Sequence, residues 1–191
     1  MTLTILLQQV LFEVRGVPIF TAGGIATGKM CAHLLLMGAA GVQLGTRFAV
    51  AEESRAHPKF KEAFVRAKAR DAVATPPFDS RLPVVAVRAL RNRATSEFSK
   101  LQIRLIEELD RGMITRDQAQ NQVEEFWVGR LRAAVVDGDV DYGSLMAGQS
   151  VGLVNKLMTV QEIMNELIAD AENELKRVRG LLIPQLSPRR Q

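Results

Sequence analysis

One cysteine, Cys31, stands in the whole chain, which excludes a disulfide-stapled scaffold and suits a reducing compartment. No apolar run approaches the ~20 residues a membrane-spanning helix needs. The apolar start, Met1 to Val14, has no basic residues ahead of it, so it does not read as a secretory leader. A cytoplasmic protein with no membrane partner is therefore expected. Aromatic residues make up only 5%, without aromatic-basic interleaving or zinc-ligand spacing, which argues against a nucleic-acid partner. There is no G-x-S-x-G elbow, Walker loop, dinucleotide fingerprint or metal-ligand spacing. Histidine is scarce as well. His33 lies in an apolar helical stretch and reads as a packed helix residue rather than a ligand, whereas His57, just before Pro58, suits a helix cap as well as catalysis.

What the chain does have is apolar mass. Of 191 residues, 47% are hydrophobic and 24% charged, which excludes a disordered chain and provides for a core of one domain or slightly more. The 14 glycines follow no fixed period, so a collagen-like repeat is excluded. The net charge of +4 is unevenly spread. Arg55 to Arg93 carries ten basic and three acidic residues, while Asp137 to Leu175 carries eight acidic residues and the single basic Lys156. Such stretches serve as two solvated faces, or the basic one lies beside an anionic cofactor, nucleotide or acyl carrier.

The first fifty residues have the pattern α-β-α-β. Leu3, Leu6, Leu7, Val10, Leu11 and Val14 recur at helical steps up to Gly16. Val17 to Ala22 reads as a short buried strand broken by Gly23-Gly24. Ala26 to Met37 reads as a helix, and Gly41 to Leu44 as a second buried strand ended by Gly45. Two buried strands flanking a helix predict a parallel β-α-β unit. Thr46 to Arg70 predicts one or two helices interrupted at Pro58. Asp71 to Arg93, with Pro76, Pro77 and Pro83, predicts an irregular or edge-strand region. Three apolar stripes then predict helices: Phe98, Leu101, Leu105 and Leu109; Val123, Phe126, Trp127, Leu131 and Val135; and Val160, Ile163, Met164, Leu167, Ile168, Ala171 and Leu175. Thr115 with Gln118 and Thr159 with Glu162 have capping-box spacing, with Met158 and Ile163 at the staple positions of the second. Beyond Arg179 a frayed tail is expected.

The two glycine-terminated strands carry the chemistry. In a parallel sheet, Gly23-Gly24 and Gly45-Thr46 fall on one C-terminal edge, where glycines let a ligand approach the backbone N–H groups. A helix N-terminus behind each loop would add partial positive charge, and Thr46 a hydroxyl. Either glycine loop alone is equally well a tight turn. Together they suit a phosphate, as in the loops after strands seven and eight of many barrels.

The run Val17-Pro18-Ile19-Phe20-Thr21-Ala22-Gly23-Gly24-Ile25-Ala26, followed by Gly38-Ala39-Ala40-Gly41-Val42-Gln43-Leu44-Gly45-Thr46-Arg47-Phe48, resembles the nitronate monooxygenase family and its relative, the flavin-dependent enoyl-acyl-carrier-protein reductase. Gly138-Asp139-Val140-Asp141-Tyr142-Gly143-Ser144-Leu145-Met146-Ala147-Gly148-Gln149-Ser150 resembles the family's C-terminal signature, and the similarity extends to about Leu175. The resemblance implies an α/β fold: the last two strands of a (β/α)8 TIM barrel, followed by a mainly helical C-terminal region. It places barrel units with the phosphate site in residues 1–54, a helix-rich region packing on the barrel in 55–178, and a tail in 179–191. It further implies FMN, with Gly23, Gly24, Gly45 and Thr46 at its phosphate and Gln149 near the flavin. Electrons would come from a nitronate and leave to oxygen, or come from NAD(P)H and leave to an enoyl thioester. Small-molecule substrates and a homodimer are the partners expected.

The sequence also departs from that pattern. Relatives carry their catalytic histidine in a Gly-Gly-His segment that falls before the equivalent of Met1, so neither His33 nor His57 inherits the role and no catalytic residue is assigned. Pro76-Pro77 replaces a glycine-containing turn, which bears on substrate access. A barrel needs roughly 250 residues, so the chain reads as a truncated one lacking the barrel's first part. The contrasting expectation is a non-catalytic remnant or helical interaction module that keeps half a phosphate site.

Overall fold

The computed structural model describes residues 1–82 and 84–182. Within them the chain is α/β and mainly helical, and its contacts divide it into two compact units. The first comprises Met1–Phe48 together with the chain from Met158 onward, and the second is Ala49–Leu157. The first unit is thus discontinuous in sequence.

The first unit opens with α1 (Leu3–Glu13), β1 (Phe20–Ala22), α2 (Gly28–Leu36) and β2 (Gly41–Gln43). The two strands pair in parallel, with Phe20 opposite Gly41 and Ala22 opposite Gln43, so the expected β-α-β unit is present. Both strands are shorter than the apolar runs that predicted them, and they are not buried throughout. Only Thr21 of β1 is buried, and Phe20 is 66% exposed. The physical reason is that each strand has one strand neighbour, which leaves its other edge and much of its faces uncovered. α1 likewise buries only Leu7 of its apolar stripe. The short helix α3 (Thr46–Ala49) follows β2.

The third predicted stripe becomes the long helix α8 (Val160–Leu182), which lies against α2. Its capping box forms: Glu162 N donates to Thr159 Oγ1 at 3.1 Å and Thr159 N to Glu162 Oε2 at 2.8 Å. The contact face takes only one side of the predicted stripe. Ile163, Leu167 and Glu174 are buried, while Met164 and Ile168 are 40% and 51% exposed. Gly28 of α2 allows the close approach. A Cβ there would collide with the Leu167 carbonyl oxygen and the Ala171 backbone nitrogen. α8 ends at Leu182, so the tail expected beyond Arg179 begins as helix, and the remainder of it lies outside the described residues.

The second unit holds α4 (Pro58–Arg66), β3 (Ala72–Ala74), β4 (Arg88–Leu90), α5 (Arg93–Asp110), α6 (Arg116–Trp127) and α7 (Arg130–Arg132), which runs into a π-helical turn over Ala133–Asp137. Pro58 starts α4 rather than interrupting a helix. It sits in the first turn, where no N–H is needed. The stretch predicted as irregular or edge strand contains an antiparallel pair, Ala72 opposite Leu90 and Ala74 opposite Arg88, extended by a bridge between Ala89 and Met146. The second stripe splits at Gly129, whose φ of +75° turns the chain after α6. One core gathers Phe60, Phe64, Leu90, Leu145 and Val151; another gathers Leu82, Phe98, Leu105 and Val123 under the rings of Phe126 and Trp127.

Candidate functional site

Because β1 and β2 are parallel and in register, the chain leaves both at the same end. Neighbouring strands lie about 4.8 Å apart, which brings Gly23-Gly24 and Gly45-Thr46 to one edge. Gly23 and Gly24 have φ of +103° and +72°, in the left-handed region that favours glycine. All three glycines are exposed, and a Cβ built on any of them would meet nothing within 4 Å. The backbone of both loops is therefore open on the side a side chain would occupy.

The helix termini behind the loops differ from the sequence expectation. α2 starts four residues beyond Gly24, and two of its first-turn N–H groups already have partners. Met30 N donates to the Thr27 side chain at 3.2 Å, and Lys29 N donates to Asp170 Oδ2 of α8 at 2.8 Å. A carboxylate of the same chain thus occupies the position an anion would take. α3 is a single turn of four residues, so its dipole contribution is slight. The loops themselves are what remains to hold an anion.

Arg47, a residue that strand-and-glycine reasoning passes over, braces them. Its side chain is buried; Nη1 donates to the Ala26 carbonyl at 2.7 Å and Nη2 to Glu166 Oε1 at 2.7 Å, with Met158 Sδ at 3.7 Å. One guanidinium thereby fixes the segment after β1, the segment after β2 and α8 to one another. An arginine directly after the Gly-Thr pair, with an acidic helix later in the chain, is the sequence signal that could have found it. Its charge is matched by Glu166, so it acts as a brace rather than as an anion ligand.

Further along the α2–α8 contact, His33 Nε2 lies 2.8 Å from Glu174 Oε1. Glu174 is buried and also accepts two bonds from Arg177, at 2.6 and 2.9 Å, which hold its carboxyl down at about 2. His33 is thus a half-exposed helix residue hydrogen-bonded to Glu174, and not the packed one expected. Burial pushes the Cys31 thiol up, so it stays protonated and acts as core. His57 adopts the capping role: its Nδ1 accepts from Lys59 N at 3.1 Å. Gln149 is exposed in the second unit, at the start of a 3₁₀ turn spanning Gln149–Leu153, whereas the four glycine-loop residues belong to the first.

Comparison with known proteins gives these loops a family context. In sequence, the chain is 27% identical to "(3aS,4S,5R,7aS)-5-hydroxy-7a-methyl-1-oxo-octahydro-1H-indene-4-carboxyl-CoA dehydrogenase" of Mycobacterium tuberculosis, covering 94% of this chain and 57% of that protein. It is 27% identical to a probable nitronate monooxygenase of Staphylococcus aureus, over 92% of this chain and 43% of that one. In structure it is similar to FabK from Thermotoga maritima, with a TM-score of 0.77 and 34% identity, over 94% of this chain and 52% of FabK. The chain spans about half the length of the curated relatives it matches. The family model described as nitronate monooxygenase matches residues 1–170, and the chain belongs to that family.

Proposed function

We propose that the chain is the C-terminal part of an FMN-dependent oxidoreductase of the nitronate monooxygenase type, with β1 and β2 as the last two strands of a (β/α)8 barrel. The observation that carries this reading is the pair of open glycine loops on one edge of a parallel pair in a chain of this family. Gly23, Gly24, Gly45 and Thr46 would hold the phosphate of FMN, and Gln149 would lie near the flavin. Bound FMN would supply the redox chemistry, oxidising a nitronate with O2 as acceptor.

The chain's own residues bind and orient. The left-handed glycines leave the loop backbone with no side chain in the way, as a phosphate cradle requires. Arg47 keeps the two loops at a fixed separation, so their donors are organised before the ligand arrives. No side chain of this chain is assigned to a proton-transfer step.

A second reading, an NAD(P)H-dependent flavin enoyl-thioester reductase, is favoured by the 34% identity to FabK over 94% of this chain. One experiment separates the readings. The purified protein is titrated with FMN, then assayed for nitronate-dependent oxygen uptake and for NADH-dependent reduction of an enoyl thioester. Saturable FMN binding with nitronate-dependent uptake supports the first reading, and enoyl reduction the second. A protein that neither retains nor is stabilised by FMN defeats both.

A further inference from the structure

Between the chain leaving β3 and the first turns of α5, the second unit contains a cavity of about 360 Å³. It shares no residue with the glycine loops or with the run from Gly138 to Ser150. Its walls hold one another. Gln102, 1% exposed, ties the segment after β3 to α5: its Oε1 accepts from Phe78 N at 2.9 Å and its Nε2 donates to the Pro76 carbonyl at 3.3 Å. Thr75 donates twice to the Val87 carbonyl, from N at 2.9 Å and from Oγ1 at 3.2 Å. Val73 and the buried Phe98 add apolar lining. The cavity is therefore preformed, and its volume lies within the usual range of small-molecule sites.

The polar groups narrow the occupant. Arg91 is the single charged residue of the lining. Much of the basic stretch from Arg55 to Arg93 is already engaged: Arg66 pairs with Glu62, Arg81 with Asp79 and Asp110, and Lys61 and Arg88 donate to backbone carbonyls. Arg91 is exposed and forms no ion pair among the described residues. One guanidinium matches one carboxylate in two-pronged geometry, whereas a phosphate dianion would be left half neutralised. Ser96 and Ser99 also line the cavity, and each gives its hydroxyl proton to a carbonyl of the same helix end, Asn92 at 3.2 Å and Thr95 at 3.1 Å. What they still offer is lone pairs, which call for a donor on the ligand. No aspartate or glutamate belongs to the lining among the described residues, so an ammonium would meet no counter-charge and a hydroxyl is the donor that fits.

We propose that this cavity binds a small 2-hydroxy carboxylic acid with a compact apolar body: its carboxylate on Arg91, its hydroxyl on Ser96 and Ser99, and its apolar part against Pro76 and Phe78. The site stands apart from the flavin reading and needs no flavin to be detected. Arg91 joins the β3–β4 pair through its backbone, N donating to the Asp71 carbonyl at 2.8 Å, so its side chain can be changed without breaking that bond.

The test titrates the full chain calorimetrically with mandelate, with phenylacetate, which lacks the hydroxyl, and with mandelamide, which lacks the charge. Mandelate binding saturates. Phenylacetate binds about two- to tenfold more weakly, the loss of one neutral hydrogen bond, and mandelamide roughly tenfold to a hundredfold more weakly, the loss of a charge-assisted pair. Arg91→Gln brings mandelate down to the level of mandelamide. Ser96→Glu is the independent second variant: it places a like charge in the lining and weakens mandelate about tenfold or more, while the N-terminal turn of α5 favours an acidic residue. Both positions are exposed, so the fold survives either change. The proposal is overturned if mandelate does not saturate, or if phenylacetate or mandelamide matches it. It is equally overturned if both variants bind mandelate as the parent does.

Discussion

Gly45→Ala separates the proposed ligand-binding role of the glycine loops from any role in folding. Gly45 does not have a positive φ, and the added methyl group meets no atom within 4 Å. The folded state therefore accepts alanine without strain. The unfolded chain loses freedom, so stability stays level or rises by about 0.4–1 kcal/mol. A phosphate, by contrast, has to approach the same exposed backbone. The methyl group stands in that approach and displaces one charge-assisted hydrogen bond, worth about 1.5–3 kcal/mol. That converts to an FMN affinity lower by roughly tenfold to somewhat over a hundredfold. Gly24→Ala is the companion variant. Its φ of +72° imposes a left-handed penalty of about 1–2 kcal/mol on alanine, so it loses stability as well as affinity. The assay pairs an FMN fluorescence titration with urea unfolding of the same preparations. If Gly45→Ala bound FMN as tightly as the parent while folding normally, the phosphate would not sit on that loop, and the site as described would be wrong.

Three further outcomes follow from the packing. Gly28→Ala forces α2 away from the backbone of α8 at Leu167 and Ala171, and an overpacking cost of about 1–3 kcal/mol appears as a lower urea midpoint. An unchanged midpoint would show that the helices have room to spare. Phe98→Ala empties the centre of the core that includes Leu82 and Leu105 and costs about 3–5 kcal/mol by the same measurement. Glu174 titrates near 2 in the folded chain against an ordinary 4.5, so its contribution is full above about 4.5 and is lost as pH falls toward 2. Thermal melts across that window should fall more steeply for the parent than for Glu174→Gln, and parallel curves would mean the carboxylate is not held as described.

Elements set by local chemistry were legible in the sequence. The capping boxes at Thr115 and Thr159 form as spaced, because an N-cap oxygen and a side chain three residues on need only each other. The β-α-β unit was legible too, since Gly23-Gly24 and Gly45 mark where each strand must stop. A further box, Asn92 with Thr95 at the start of α5, is not legible from the usual Glu or Gln at the third position, because a threonine hydroxyl takes that role. The burial of α8 could be read only in part from its apolar stripe: Ile163 and Leu167 are buried, while Met164 and Ile168 are not. Which face is covered depends on where α2 lies, and α2 meets the face of Ile163, Leu167, Asp170 and Glu174, where Gly28, Lys29 and His33 give close approach and polar partners. An apolar stripe states what a helix would prefer to bury, while the partner decides what it does bury.

The same limit explains the candidate site. From sequence, a glycine loop followed by a helix promises an anion site with the helix dipole behind it, and that inference treats the helix start as vacant. Asp170, 141 residues further along the chain from Lys29, fills it. A carboxylate already held at 2.8 Å by the first turn of α2 repels a second anion placed there, so the partial charge of α2 is neutralised locally instead of being offered to a ligand. On the proposed reading, binding strength would then come from the loop N–H groups and would depend on how rigidly the two loops are held relative to each other. That makes Arg47, on the Ala26 carbonyl and Glu166 together, the residue on which the cradle's geometry rests. Arg47→Met keeps the apolar stem and removes both bonds. FMN affinity should fall with both glycine loops intact in sequence, while the same substitution would leave binding untouched if the dipole of α2 were the anion's main support.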